Sequence, residues 1–358
     1  MADVLHLTGP VLVGPDDVRP EVWVVDGRVT FTRPMAEAQT VGGWVLPGLV
    51  DAHCHVGLGP DGAVDEGQSE KQAVADRDAG TLLIRDAGSP VDTHWVDDRD
   101  DLPRIIRAGR HIARTRRYLR GFAHEVEPED VVAYVRQEAR RGDGWVKLVG
   151  DWIDRETGDL SPSFPRETIV AAVAAAHEEG ARTTSHCFGE ESLYDFAAAG
   201  TDCIEHACGL EPQTIATFAE QGIAIVPTLI NIARLPELAE PGREKFPAYY
   251  AHMVDLHRRR FETVAAAHDA GIPIYVGTDA GSSLPHGLVA EEAAALVEVG
   301  LSTIEALAAG TWAARDWLGR PGLEEGASAD LIVYEADPRI DIGVLASPSA
   351  IVLRGQTV

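Results

Sequence analysis

From residue 44 to residue 281 short apolar runs alternate with amphipathic stretches. The strand-like runs are WVLPGLVDAHCH (44–55), TLLIRDAG (81–88), RIIRAG (104–109), WVKLVG (145–150), ARTTSHC (181–187), CIEHA (203–207), IAIVPTL (223–229) and IPIYVGTDAG (272–281). Between them lie helical patterns such as 128–142, 165–180, 189–200 and 245–270, several opened by proline and closed by glycine, as helices favour. Buried strands alternating with helices predict a parallel sheet. Eight such units predict a closed (β/α)8 TIM barrel, an α/β fold, over residues 49–322. An open doubly wound sheet is the alternative, but no G-x-G-x-x-G follows an early strand.

The two ends follow a different rhythm. Residues 1–48 and 323–358 hold short β runs (LHLTGPVLV, EVWVVDGRVTF, ADLIVYEAD, SAIVLRGQTV) with Gly, Pro and Asp turns and no helix between them. They are expected to form one small β-sandwich built from both termini.

Composition narrows the function. The 358 residues give a prior of about two domains. The formal charge of −26 argues against nucleic acid and anionic membrane, since those partners need clustered cations. No run reaches the ~20 apolar residues of a membrane span, and MADVLHLTGP lacks the basic and apolar segments of a signal peptide. With four cysteines and no disulfide framework, a reducing cytoplasm is the expected compartment. A small molecule is the expected partner, and oligomeric state, a homo-oligomer included, is left open. Only three lysines (Lys71, Lys147, Lys245) stand against 28 arginines, so each lysine invites a question.

The chemistry gathers at strand ends, where a barrel builds its active site. Residues i and i+2 of a strand share a face, so His53 and His55 aim at one point, as two imidazoles on a metal ion do. His186 and His206 end two further strands, and Asp279 ends the eighth. One histidine at a strand end is ordinarily a satisfied core residue; five such residues on four strands are hard to explain separately. Their types suit Zn²⁺ foremost, with Mn²⁺ or Co²⁺ as alternatives. Lys147, between Val146 and Leu148, would be costly if charged and unpaired. Either it pairs with a barrel carboxylate, or its amine is carboxylated by CO₂ to a carbamate that bridges two cations. Arg85 and Asp86 are expected to pair at the mouth of the second strand.

Together these residues resemble the amidohydrolase superfamily: H-x-H on the first strand, Lys on the fourth, His on the fifth and sixth, Asp on the eighth. VKLVG, IEHA, VPTL and GTDAG are most similar to its imidazolonepropionase-like and prolidase-like members. The resemblance implies a metal-dependent hydrolase of amide, cyclic amide or related C–N bonds, with ester or lactone included, acting through a metal-bridging hydroxide. It implies a binuclear centre in which His53, His55 and Asp279 bind one ion, His186 and His206 the other, with carboxylated Lys147 between them and Asp279 as proton carrier. A mononuclear deaminase or imidazolone-type ring hydrolase is the enzymatic alternative, and a non-catalytic barrel scaffold the alternative of another class. The sequence also departs from the pattern: TRRY (115–118) replaces a TGGH-type stretch, and GDWIDRETGDL replaces a Gly-rich turn. Tyr118, His124, Trp152, Arg155, Asn231 and His286 are the loop candidates for substrate contact.

Overall fold

The computed structural model describes residues 4–358, so the first three residues of the expected terminal unit lie outside the described residues. The central part of the chain is a (β/α)8 barrel. Its staves are Leu49–Cys54, Thr81–Asp86, Arg104–Arg107 continued by Ile112–Arg114, Trp145–Val149, Arg182–Cys187, Cys203–His206 and Ala224–Val226. All their pairings are parallel. The eighth stave, within residues 272–281, carries only isolated bridges yet is bonded on both sides. Ile225 N donates to Pro273 O (2.9 Å) and Tyr275 N to Ile225 O (3.1 Å), while Ala52 N donates to Val276 O (2.8 Å) and Asp279 N to His53 O (2.7 Å). Gly277 is required at this seam, because a Cβ there would stand 2.4 Å from Val226 Cγ1 and 2.7 Å from His53 Cβ.

Alternation of side chains separates two cores. Inside the ring, Val50, Ala52, Leu83, Ile106, Trp145, Cys203, Ala224 and Val226 pack together. Outside it, the other strand faces pack against helices such as Val131–Arg141, Arg166–Glu178 and Val289–Val299 in one large cluster. Burying both faces explains why the strands read as nearly continuous apolar runs.

The termini meet in a third cluster. Eight strands from both ends form one mixed sheet, in which Trp44–Pro47 pairs antiparallel with Leu331–Tyr334. A register shift between Thr8 and Val11 bends the first strand, so one half pairs with Gln39–Gly42 and the other reaches Val45. Hydrogen bonding therefore runs through all eight strands, where the sequence suggested two layers. No helix among the described residues is long and apolar enough to cross a membrane.

A polar strut fixes the wall of the barrel mouth. His252, on the long helix Pro247–Asp269, lies 2.9 Å from both Asp159 of the hairpin Asp151–Pro162 and Glu190 at the start of Glu190–Ala199. The Glu190 contact, helped by Asp159 against partial burial, pushes the imidazole up to about 9. A folded pKa above the unfolded ~6.5 contributes stability that is complete below about pH 6.5 and is lost as pH rises through 9. We therefore expect His252→Asn to cost about 1–3 kcal/mol in denaturant unfolding at pH 6, where each pKa unit is worth ~1.4 kcal/mol, with the gap closing near pH 9.5. A gap that stays constant across that range would contradict the assignment.

Candidate metal centre

The first stave abandons strict alternation before its end. Val50 and Ala52 face the barrel interior, and a register shift between Asp51 and Cys54 then turns His53 and His55 inward as well. Asp51 holds this irregularity: its carboxylate accepts from His53 N (3.0 Å), Thr278 N (3.1 Å) and Thr278 Oγ1 (2.6 Å), tying the first stave to the eighth. Burial pushes the Asp51 carboxyl up to about 7.

His206 and Asp279 reach the mouth through left-handed backbone, with φ of 69° and 59°. By alternation Glu205 points into the ring, and the positive φ at His206 swings its imidazole back toward His186 (ring centroids 4.7 Å apart) and His53 (5.2 Å). Such conformations cost roughly 1–3 kcal/mol each in non-glycine residues and persist where the surroundings over-determine them.

The resulting geometry is one of facing lone pairs. His53 Nε2 and His55 Nε2 lie 3.2 Å apart, and both approach Asp279 Oδ1, at 3.1 and 3.0 Å. His55 Nδ1 donates to Gly88 O (2.7 Å), which leaves Nε2 as its electron-rich nitrogen. His53 Nδ1 stands 2.7 Å from Glu205 Oε2, an ion-pair contact too misaligned to count as a hydrogen bond. His206 Nδ1 is 2.7 Å from Thr228 Oγ1, so its Nε2 also faces inward. Three electron-rich atoms within about 3 Å need a positive species between them. Burial alone would lower His53, yet the Glu205 and Asp279 carboxylates together raise the imidazole above its ordinary value, a proton standing in for a cation. His53, His206 and Asp279 form a group able to hold a metal ion.

The remaining candidates complete the cluster. Burial holds His186 well below the ordinary imidazole value and His206 down to about 3, so both are neutral with free lone pairs at pH 7. His186 Nε2 is buried without a partner. Burial would raise the Asp279 carboxyl, but His53 beside it holds it well below the usual range; Asn231 Nδ2 donates to its other oxygen at 2.6 Å. Lys147 is 1 % exposed, and no carboxylate lies within 4 Å of its Nζ among the described residues, so the salt-bridge alternative finds no partner. Burial lowers its pKa, which favours the free amine that can add CO₂. Neutral imidazoles, a carboxylate and a buried amine are a donor set that fits divalent cations.

Three substrate candidates line the cavity over this cluster and three do not. Tyr118, Trp152 and Asn231 face a cavity of about 280 Å³ together with His55, His186 and Asp279. Three placements correct the sequence reading. His124 lies 3.0 Å from Glu138, on the helical side of its strand. Arg155 is exposed at the turn of the Asp151–Pro162 hairpin. His286 is captured by Asp76 (2.8 Å) from the helix Glu66–Asp78. Arg85 does not pair with Asp86 either. It runs into the ring to Glu205 (2.7 Å), while Asp86 accepts from Val56 N and Gly88 N.

Two residues at this site escaped the sequence reading. Glu205, fully buried, receives Arg85 Nη2 and the Thr184 hydroxyl and touches His53. Its signal was an opposite charge at matching depth in LLIRDAG and CIEHA. His111, buried with neither ring nitrogen partnered, packs beside His55 (5.0 Å between centroids); it sits beyond the third apolar run, where no pattern marked it.

The amidohydrolase family profile matches residues 44–358. The chain belongs to the amidohydrolase family. It is a metal-dependent hydrolase acting on carbon–nitrogen bonds. An uncharacterised protein of Mycobacterium tuberculosis is 54 % identical over 356 residues, 99 % of this chain and 95 % of its own length. The imidazolonepropionase of Acidiphilium cryptum is 27 % identical over 371 aligned residues, covering 87 % of this chain and 86 % of its own. The crystal structure of a Xaa-Pro dipeptidase with methionine bound in its active site shares the fold, with a TM-score of 0.83, 23 % identity and full coverage of both chains.

In this amidohydrolase Glu205 touches the His53 imidazole, so if His53 binds metal the carboxylate would act on the centre through it, as a carboxylate beside a ligand imidazole does. Glu205→Gln keeps an acceptor for Arg85 but removes the charge, and should weaken metal affinity by roughly 10–100-fold in chelator competition while the fold survives. Unchanged metal affinity would mean that Glu205 serves only Arg85.

Proposed function

We propose that this chain hydrolyses an amide, cyclic amide or related bond, ester or lactone included, of a small molecule at a binuclear centre. His53, His55 and Asp279 would hold one divalent ion, His186 and His206 the other, and carboxylated Lys147 would join them, with zinc the favoured metal. The observation that carries this reading is the meeting of His53 Nε2, His55 Nε2 and Asp279 Oδ1 within 3.2 Å beneath a cavity wide enough for a small molecule. The buried, unpaired Lys147 supports the bridging role.

Ions bound there would supply an acidified water and a Lewis acid for the scissile carbonyl. The chain's own residues do the rest. Asn231 clamps one Asp279 oxygen and leaves the other toward the imidazoles, so the carboxylate, ionised at neutral pH, takes the proton of the attacking water at Oδ1. It then returns that proton to the leaving nitrogen. Gly88 and Thr228 keep the imidazoles of His55 and His206 turned toward the cluster beneath the cavity. The grouping of His53, His206 and Asp279 alone favours a second reading, a single ion with Lys147 structural.

Metal analysis of the purified protein separates the readings: about two ions per chain for the first, about one for the second. Lys147→Ala should lose metal and activity together, and added acetate or propionate should restore part of both. Lys147→Arg should fail as completely, since a guanidinium does not form the carbamate. An active Lys147→Arg enzyme with its metal intact would overturn the bridging role. Asp279→Asn should retain the fold and lower kcat by roughly 10²–10⁴; near-normal turnover in a metal-loaded variant would remove Asp279 from proton transfer.

A further inference from the structure

The cavity above the centre is built of rings. Tyr118 meets Trp152 edge-on at 4.9 Å and Trp152 lies nearly parallel to Phe188 at 6.4 Å, the three surrounding His186; Phe122, Tyr249 and Met253 extend the apolar wall. Its polar lining is uncharged apart from the proposed ligands: Asn231, two serines and the hydroxyls of Tyr118 and Tyr249. No lysine or arginine lines it.

Two of the arginines close by are committed elsewhere. Arg117, in the TRRY stretch, turns away from the cavity and donates to Trp152 O (2.9 Å), Ser161 O (2.8 Å) and Pro162 O (3.1 Å). It thereby locks the hairpin that carries Trp152. Arg234, beside the rim, is held by Ser283 O (3.1 Å) and by Glu237. An anionic group on the substrate would thus lose its hydration between aromatic faces, near the Asp279 carboxylate, with no counter-charge from the wall. Burying an unpaired charge is heavily disfavoured, whereas an aromatic group fills such a wall favourably.

We propose that this site selects neutral, aromatic-bearing substrates and rejects those carrying a free carboxylate beyond the scissile bond. Their class would be N-aryl or N-arylalkyl amides and carbamates, in contrast to dipeptides with a free C-terminus. The inference concerns the cavity wall; only its turnover arm rests on the hydrolytic reading above.

The test uses the metal-loaded full chain and two ketones in which CH₂ replaces the amide nitrogen. One is phenyl benzyl ketone; the other carries a carboxylate para on its benzyl ring. Calorimetric titration should show the neutral ketone binding at least tenfold tighter than the carboxylated one. Trp152→Ala should weaken the neutral ketone's binding roughly tenfold. Leu238→Arg, at a cavity residue that is 39 % exposed, should narrow or reverse the preference by supplying the missing cation. Equal or tighter binding of the carboxylated ketone would overturn the proposal and point to a rim arginine such as the exposed Arg120. Failure of the neutral ketone to bind at millimolar concentration would overturn it as well. In parallel, benzanilide and its para-carboxylate are offered as substrates. If the ketone preference holds and neither amide is cleaved, the wall's selectivity stands and the assignment of N-aryl amides as substrates fails. Should both be cleaved with equal kcat/KM, the selectivity falls and the hydrolytic reading stands.

Discussion

Glu205 is the residue on which the site's geometry turns. A carboxylate with no exposed surface in a parallel barrel is tolerable only when its charge is met. Arg85 meets one oxygen from across the ring, and the His53 imidazole meets the other. Burial alone would raise the Glu205 carboxyl, but Arg85 and then His53 hold it well below its ordinary value. Arg85 in turn is stacked between Trp145 (4.6 Å) and Trp317 (5.0 Å) and donates to Ala52 O, one residue before His53. The interior layer of the barrel and the first candidate metal ligand are thereby one electrostatic unit. A shift in the lower layer would be felt as a misdirected imidazole above it.

Around that unit the strand ends leave regular β geometry where the chemistry gathers. The first stave slips register before His53, the sixth turns left-handed at His206 and Ala207, Thr228 takes φ 47° to meet His206, and Asp279 is left-handed at the end of the eighth. Four unfavoured non-glycine backbones in one mouth indicate strain maintained by the barrel beneath. Asp51, Gly277 and the backbone bonds of the closing seam hold it there.

Much of this could be read from residues alone, because periodicity and residue type report burial. The eight apolar runs, the helices between them and the histidines at strand ends follow from the cost of exposing apolar faces and of burying polar ones. What escaped has a common physical cause: strict alternation presumes regular strands. Alternation would have sent Glu205 and His206 to opposite faces with only one of them useful, and the left-handed turn at His206 lets both serve the centre. His286, His124 and Arg155 were misjudged for another reason. Loop position says a side chain is near the mouth, while the nearest opposite charge decides where it points, and Asp76 and Glu138 claimed the two imidazoles. The eight-stranded terminal sheet shows the same limit, since the bend between Thr8 and Val11 that joins its halves leaves no mark in the hydrophobic pattern.

Lysine usage gains meaning in this setting. The fourth stave carries Trp145 and Lys147 on the same inward face, one layer apart. At the lower layer the chain places guanidinium groups: Arg85 and Arg182 both lie over Trp145, at 4.6 and 4.1 Å, and Arg85 has a carboxylate partner besides. That is how a buried cation is accommodated, by a weakly hydrated planar group that stacks and pairs. One layer higher the chain uses an amine with no carboxylate within reach and a depressed pKa. A protein with 28 arginines and three lysines evidently had the better residue for a structural charge at hand, and used it one layer below. The carbamate proposed for the lysine at the mouth would use what an amine does and a guanidinium does not: give up its proton in a buried site and react as a nucleophile.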